Sequence, residues 1–201
     1  MQIILIGASG TIGSAIDDAL SAKHDLVRVG RTSGDVHADL SDPSSIEALY
    51  EEVGPFDAVV SAAGNAAFNP LLDLSDDDFD LSLSSKLMGQ VNLVRYGLPH
   101  IRTSGNPSFT LVSGVLSQEP MPGSAAISMV NSGIEGFMRA AALEADGVRV
   151  NVVSPPWVSE TLEAMGEDPS DGLPAATVAK AFVDSVEGEM TGEVVDAREY
   201  A

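Results

Sequence analysis

Short apolar runs alternate with amphipathic helical stretches along 201 residues, which predicts an α/β fold: a single doubly wound parallel sheet with helices on both faces. Three observations support this. The run Ile3-Ile4-Leu5-Ile6 is apolar at every position, as a strand buried on both faces must be. A glycine-rich turn, Gly7-Ala8-Ser9-Gly10-Thr11-Ile12-Gly13, follows at once and leads into a helical pattern. Further strand-like runs recur at the spacing of βαβ units with no linker or repeat between them, and the length suits one domain over 1–201.

In chain order, apolar Ala15, Ile16, Ala19 and Leu20 predict a helix over 14–22. A strand is expected over 26–29, a helix over 45–53 and a third buried strand over 56–60. The next helix is long, from about 76 to 101. A strand at 108–112, a helix at 124–145 and a strand at 148–153 follow. The last pair is a helix over 175–186 and a short strand at 193–195. Ligands of such sheets lie beyond the carboxyl ends of the strands, and every motif below falls at one of those ends.

Glycine is required in the first turn because a side chain would strain the backbone and hold a phosphate away from the amides at the helix start. The spacing Gly-x-x-Gly-x-x-Gly, set between strand and helix, is that of a dinucleotide cradle in a Rossmann-type domain. Gly7, Ser9, Gly10, Thr11, Ile12 and Gly13 are therefore expected to hold a pyrophosphate. After the second strand, where an NAD site offers an acid to the ribose, the chain has Gly30-Arg31-Thr32-Ser33. Arg31 presents a fork of donors suited to a 2′-phosphate, and Thr32 and Ser33 add hydroxyls, so the expected cofactor is NADP.

Composition narrows the partners. Thirty acidic against ten basic residues give a formal net charge of −20, with a pI near 4.1, which argues against nucleic acid. Only Lys23, Lys86 and Lys180 are lysines, while acids crowd Asp76-Asp77-Asp78 and Glu167-Asp168. This resembles the acidic, lysine-poor surface of proteins adapted to high salt, where screening offsets self-repulsion. The absence of cysteine excludes disulfides, thiolate metal sites and cysteine nucleophiles. His24, His37 and His100 lack ligand spacing; they are expected at the surface, and no metal is expected. No apolar run is long enough to span a bilayer, and Met1 leads directly into strand residues, so no membrane association and a cytoplasmic location are expected.

Further on stand Asp39-Leu40 and Ser61-Ala62-Ala63-Gly64; later come Asn151-Val152-Val153-Ser154-Pro155-Pro156 with Thr161, then Thr191-Gly192-Glu193-Val194. With the glycine loop, and in this order, they resemble the motifs of the short-chain dehydrogenase/reductase family over nearly the whole chain. The resemblance implies that Asp39 and Leu40 touch adenine, that Ala62, Ala63 and Gly64 belong to the cofactor site, and that Pro155 lies by the nicotinamide. It also implies a small carbonyl or hydroxyl substrate and a dimer or tetramer built on the two long helices.

Members of that family use an Asn, Ser, Tyr and Lys set, the Lys lowering the pKa of the phenol that serves as acid or base. Here the resemblance places Ile127 at the Tyr and Asn131 at the Lys. Ser113 lies one residue from the Ser position, and Lys86 stands at the Asn. Tyr50, Tyr96 and Tyr200 are not evident substitutes.

Two readings follow. In one, an oxidoreductase with a rearranged site uses Ser113 or Ser117 with Lys86 as the replacement cation and Asn131 at the ribose. In the other, the chain keeps the cradle as an NADP sensor or partner-binding protein. A third possibility is a subunit that docks through the long helices. The stretch 161–174, where the family builds its lid, is short and acidic, which predicts a small or open pocket disfavouring anions; Trp157, Met121, Met129 and Phe68 are candidate walls.

Overall fold

The computed structural model describes residues 1–201. Strands β1 (Gln2–Ile6), β2 (Asp25–Gly30), β3 (Val36–His37), β4 (Ala58–Ser61), β5 (Ser108–Val112), β6 (Arg149–Ser154) and β7 (Val194–Asp196) form one parallel sheet, ordered β3-β2-β1-β4-β5-β6-β7. In β1, Ile3 to Ile6 pair with Leu26 to Val29 on one side and with Ala58 to Ser61 on the other. The strand order reverses direction at β1 and β4, so a crevice opens beyond their carboxyl ends.

The helices are α1 (Thr11–Leu20), α2 (Pro43–Val53), α3 (Asp76–Leu81), α4 (Gly89–Gly97), α5 (Ala125–Glu144), α6 (Ser159–Met165) and α7 (Ala175–Glu187). Because side chains alternate along a strand, β1 feeds both sides of the sheet. Ile4 and Ile6 pack with α2, α4 and α5 through Ile46, Leu49, Tyr50, Leu93, Ile134 and Met138. Ile3 and Leu5 pack with α1 and α7 through Ile16, Leu20, Val178, Phe182 and Val186. The sheet is thus covered on both faces, as the apolar strands require.

Several expected boundaries move. The first helix begins at Thr11, with Gly10 as its N-cap, and ends at Leu20 rather than Ala22. The third buried strand is shifted to 58–61, and Phe56 instead bridges Ile101. Two-residue β3 was not expected as a strand; it pairs Val36 and His37 with the end of β2. The helix expected over 76–101 runs as α3, a π-helical segment at Ser82–Met88 and α4, ending at Gly97. It stops early because Arg102 N must reach the Phe56 carbonyl, at 2.8 Å, before the chain enters β5. A widened turn hardly alters the apolar periodicity, so the π segment leaves little trace in the sequence. The stretch 161–174, expected as a short acidic lid, holds most of α6 and a 3-10 turn at Pro169–Asp171.

Two histidines also differ from expectation. His24 is held inward, with Nε2 at 3.1 Å from Glu187, and His100 stacks on the Tyr50 ring. His37 is exposed.

Candidate functional site

The glycine turn forms as its sequence demands. Gly7 adopts φ +80°, where a side chain is disfavoured, and a Cβ there would meet Ala63 Cβ at 2.9 Å. A Cβ on Gly13 would stand 2.0 Å from the Gly7 carbonyl oxygen, so α1 packs against the turn only with glycine. Gly10 caps α1 without a side-chain hydrogen bond, and no acid occupies the first turn. The first amides of a ten-residue helix are left open to an anion.

Gly7 opens into a cavity of about 220 Å³ at the crevice, whose walls include Arg31, Asp39, Leu40, Ala63 and Gly64. Four sequence segments expected at one cofactor are thus brought together. Arg31 is exposed and bonds to no other residue, whereas Arg28, Arg95, Arg102, Arg139, Arg149 and Arg198 are all engaged by neighbours. Ser33 Oγ donates to Ser9 Oγ at 3.1 Å, tying the second loop to the glycine turn. Ser9, Gly10, Thr11, Ile12, Gly13, Thr32, Ser33 and Ala62 do not line this cavity; they form the adjoining turn, helix start and loops.

A second cavity, of about 150 Å³, lies past the ends of β5 and β6. Ser113, Asn131, Ile127, Pro155 and Trp157 are in its wall. Of the other expected wall residues, Phe68 packs edge-on against Trp157 at 6.0 Å, while Met121 and Met129 are exposed elsewhere. Asn131 Nδ2 donates to the Gly114 carbonyl at 3.4 Å, and its Oδ1 is buried without any partner in the protein. Such an orphaned acceptor is costly unless a ligand supplies a donor.

Glu135, not singled out in the sequence, is the largest addition to the site. It is buried on α5, and its Oε1 accepts hydrogen bonds from Ser113 Oγ at 3.0 Å and Ser117 Oγ at 2.6 Å. Arg139 stands 3.7 Å from Oε2. An acid placed one turn after Asn131, among the inward Val130, Ile134 and Met138, was the available signal. Ser113 therefore does more than finish β5. Gln90, from α4, accepts from Val112 N and donates to Val112 O, both at 2.7 Å, and so fixes the residue before it.

Lys86 is placed differently from the exposed or cross-site positions its sequence allows. It is 7% exposed, in the π segment, and lines neither cavity. A Cβ on Gly64 would approach its Cα at 3.0 Å, so it sits directly behind the Ala63-Gly64 wall. Burial lowers its pKa to about 8.

These features have relatives. A family model described as enoyl-(acyl carrier protein) reductase matches residues 11–195. The structure of the protein lin1944 from Listeria innocua aligns with a TM-score of 0.92 and 41% identity over 98% of both chains. A hydroxynaphthalene reductase of Aspergillus fumigatus is 30% identical over 170 residues, which cover 81% of this chain and 62% of that protein, so the chain spans less than two thirds of its length. A structure described as a small-chain dehydrogenase in complex with NADPH shares the fold, with a TM-score of 0.86 and 23% identity over 98% of this chain and 95% of that one. No helix is long and apolar enough to cross a membrane. With its parallel sheet, its glycine turn at the crevice and a family model matching residues 11–195, the chain belongs to the short-chain dehydrogenase/reductase family.

Proposed function

We propose that the chain is an NADP(H)-dependent oxidoreductase acting on a small carbonyl or hydroxyl substrate, with a rearranged proton-handling site. The observation that carries the cofactor reading is the unengaged Arg31 at the rim of the crevice, in a chain whose other arginines are all bound. A guanidinium left free among so many acids is suited to a 2′-phosphate. The α1 amides receive the pyrophosphate, with Ser9, Thr11 and Ile12 at the turn. Asp39 and Leu40 lie at the adenine, and Thr32 and Ser33 beside Arg31. Ala62, Ala63 and Gly64 would border the ribose side and Pro155 the nicotinamide end, Ala63 and Gly64 lining the crevice and Pro155 the second cavity.

When bound, the dinucleotide supplies or takes up hydride. Asn131 Oδ1 accepts a ribose or substrate hydroxyl, Ser113 faces the reacting oxygen, and Lys86, charged below about pH 8, adds a positive field behind Gly64. The NADPH complex of the structurally similar dehydrogenase supports this cofactor. The walls beyond Ser113 and Asn131 are mainly apolar, which suits a small uncharged substrate.

NADPH fluorescence titrated in molar KCl tests the reading. The wild type is expected to bind, and Gly10→Asp, which sets a carboxylate against the pyrophosphate, to lose about a hundredfold in affinity or more. Arg31→Ala is expected to lose about tenfold of the preference for NADPH over NADH. No binding by the wild type would overturn the proposal. Binding without turnover of any carbonyl or alcohol would instead favour a nucleotide-responsive protein.

A further inference from the structure

We infer that the cavity beside Trp157 takes a hydroxyl-bearing substrate and that Ser113, backed by Glu135, accepts its proton; this rests on the dinucleotide reading above. The geometry of one hydroxyl group carries the argument. Ser113 lines the cavity, yet its single proton is directed inward to Glu135 Oε1 at 3.0 Å. A serine oxygen has one proton and two lone pairs, so Ser113 turns lone pairs toward the cavity. Asn131 Oδ1, on the same wall, is a second acceptor with no donor in the protein. Pro155 and Pro156 have no N–H to offer. These two acceptors, Ser113 Oγ and Asn131 Oδ1, are complementary to a donor, and an alcohol, which can both give a proton to them and accept from the Trp157 indole N–H, is the small uncharged donor that this family's chemistry uses.

Glu135 completes the unit. A buried carboxyl is expensive unless it is hydrogen-bonded, and here the bonds come from Ser113, which lines the cavity, and from Ser117. Its other oxygen faces Arg139, whose side chain is half exposed, so the group lies between the cavity and solvent. In alcohol oxidation the substrate O–H bond breaks and its proton forms a bond to Ser113 Oγ. The Ser113 O–H bond breaks in turn, and that proton passes to Glu135 Oε1. The dinucleotide, when bound, would take the carbon-bound hydrogen with its electron pair, leaving the carbonyl product. Glu135, now neutral, returns its proton to water on the Arg139 side. Ser113 is the residue that touches substrate; Glu135 acts through it.

The test uses the intact chain with cyclohexanol and 2-propanol as probes and NADP as oxidant. Glu135→Gln is expected to keep NADPH binding within about twofold, while kcat for oxidation falls about a hundredfold or more and KM moves less than about threefold. Glu135→Asp recovers part of the rate, and Glu135→Ala regains turnover with added formate, which a purely structural carboxyl would not do. A second readout needs neither cofactor nor turnover: the Ser113 and Ser117 hydroxyl protons are expected as slowly exchanging NMR resonances in the unliganded wild type and to vanish in Glu135→Gln. Turnover by Glu135→Gln within about threefold of wild type, or absence of those resonances from the wild type, overturns the relay while leaving the cofactor reading intact. Failure of the wild type to bind NADPH overturns the cofactor reading and with it the relay. A wild type that binds NADPH but oxidises neither probe overturns the alcohol assignment.

Discussion

Lys86 is buried without an acidic partner, and burial holds its pKa at about 8, against 10.5 for the free side chain. Because the folded value is the lower one, the unfolded chain binds the extra proton between these limits. The stability associated with this group is therefore complete above about pH 10.5, declines as pH falls toward 8 and is absent below it. Lys86→Met is expected to stabilise the chain by up to about 3 kcal/mol at pH 7. The gain should disappear above pH 10.5 in urea titrations run at both pH values. Turnover should fall about tenfold if the charge contributes to the site, so equal turnover would remove Lys86 from its machinery. At this scale the sequence was uneven. The place of Arg31 at the crevice was legible because it follows from a local motif, the loop after the second strand. Glu135 was not, because its meaning comes from two serines, Ser113 and Ser117, eighteen or more residues away. The burial of Lys86 was hidden for a related reason: it shares a buried face with Ser82, Ser85, Gly89 and Gln90, which are small or polar and leave no apolar stripe to read.

The π segment shows how one element is made to serve another. Its Ser82 Oγ accepts from Ala67 N at 2.9 Å and its Ser85 Oγ from Asn65 N at 3.1 Å, so the loop that follows β4 is fixed by the widened turn beneath it. Ala67 is buried, so Ser82→Ala leaves its amide unsatisfied at a cost of about 1–3 kcal/mol. Urea unfolding should register that loss, and hydrogen exchange at the Ala67 amide should quicken. In α1, Gly13→Ala should be more damaging, because the added methyl meets backbone rather than a movable side chain. That variant should lose NADPH binding as well as stability; retention of both would contradict the packed turn. Most elements were legible from apolar periodicity, with β5 matching its expected span and α5 and α7 nearly so. Boundaries failed where tertiary needs overrode the pattern, as at Gly97, or where a short element had no pattern to show, as at β3 and the 3-10 turn. The run Asp76-Asp77-Asp78 had a second meaning: with Ser75 it makes a capping box, and its acids sit at the favourable end of α3.

For the whole molecule, charge dominates. With thirty acids against ten basic groups, half of the cations are used in local pairs such as Arg28 with Asp17 and Arg198 with Glu119, and the remaining acids repel one another. We propose that this surface is adapted to high salt, and we expect the melting temperature to rise steeply from dilute buffer to molar KCl, where the screening length falls to about 3 Å. A flat response would mean that the acids are already accommodated. The homo-oligomer suggested by the family's helix pair is a separate proposal, and gel filtration in the same salt checks it; a monomer would exclude it. The parallel topology was legible at this scale because strand composition and spacing are global signals. The cavity bounded by Trp157 was only partly so, since its wall is assembled from α5 and the ends of β5 and β6. That wall has an optical consequence. Trp157 is the only tryptophan of the chain, so its indole emission reports from a single place, and that place is the proposed substrate chamber. Energy transfer from it to a bound reduced nicotinamide would read the occupancy of the two cavities together, without any label being attached.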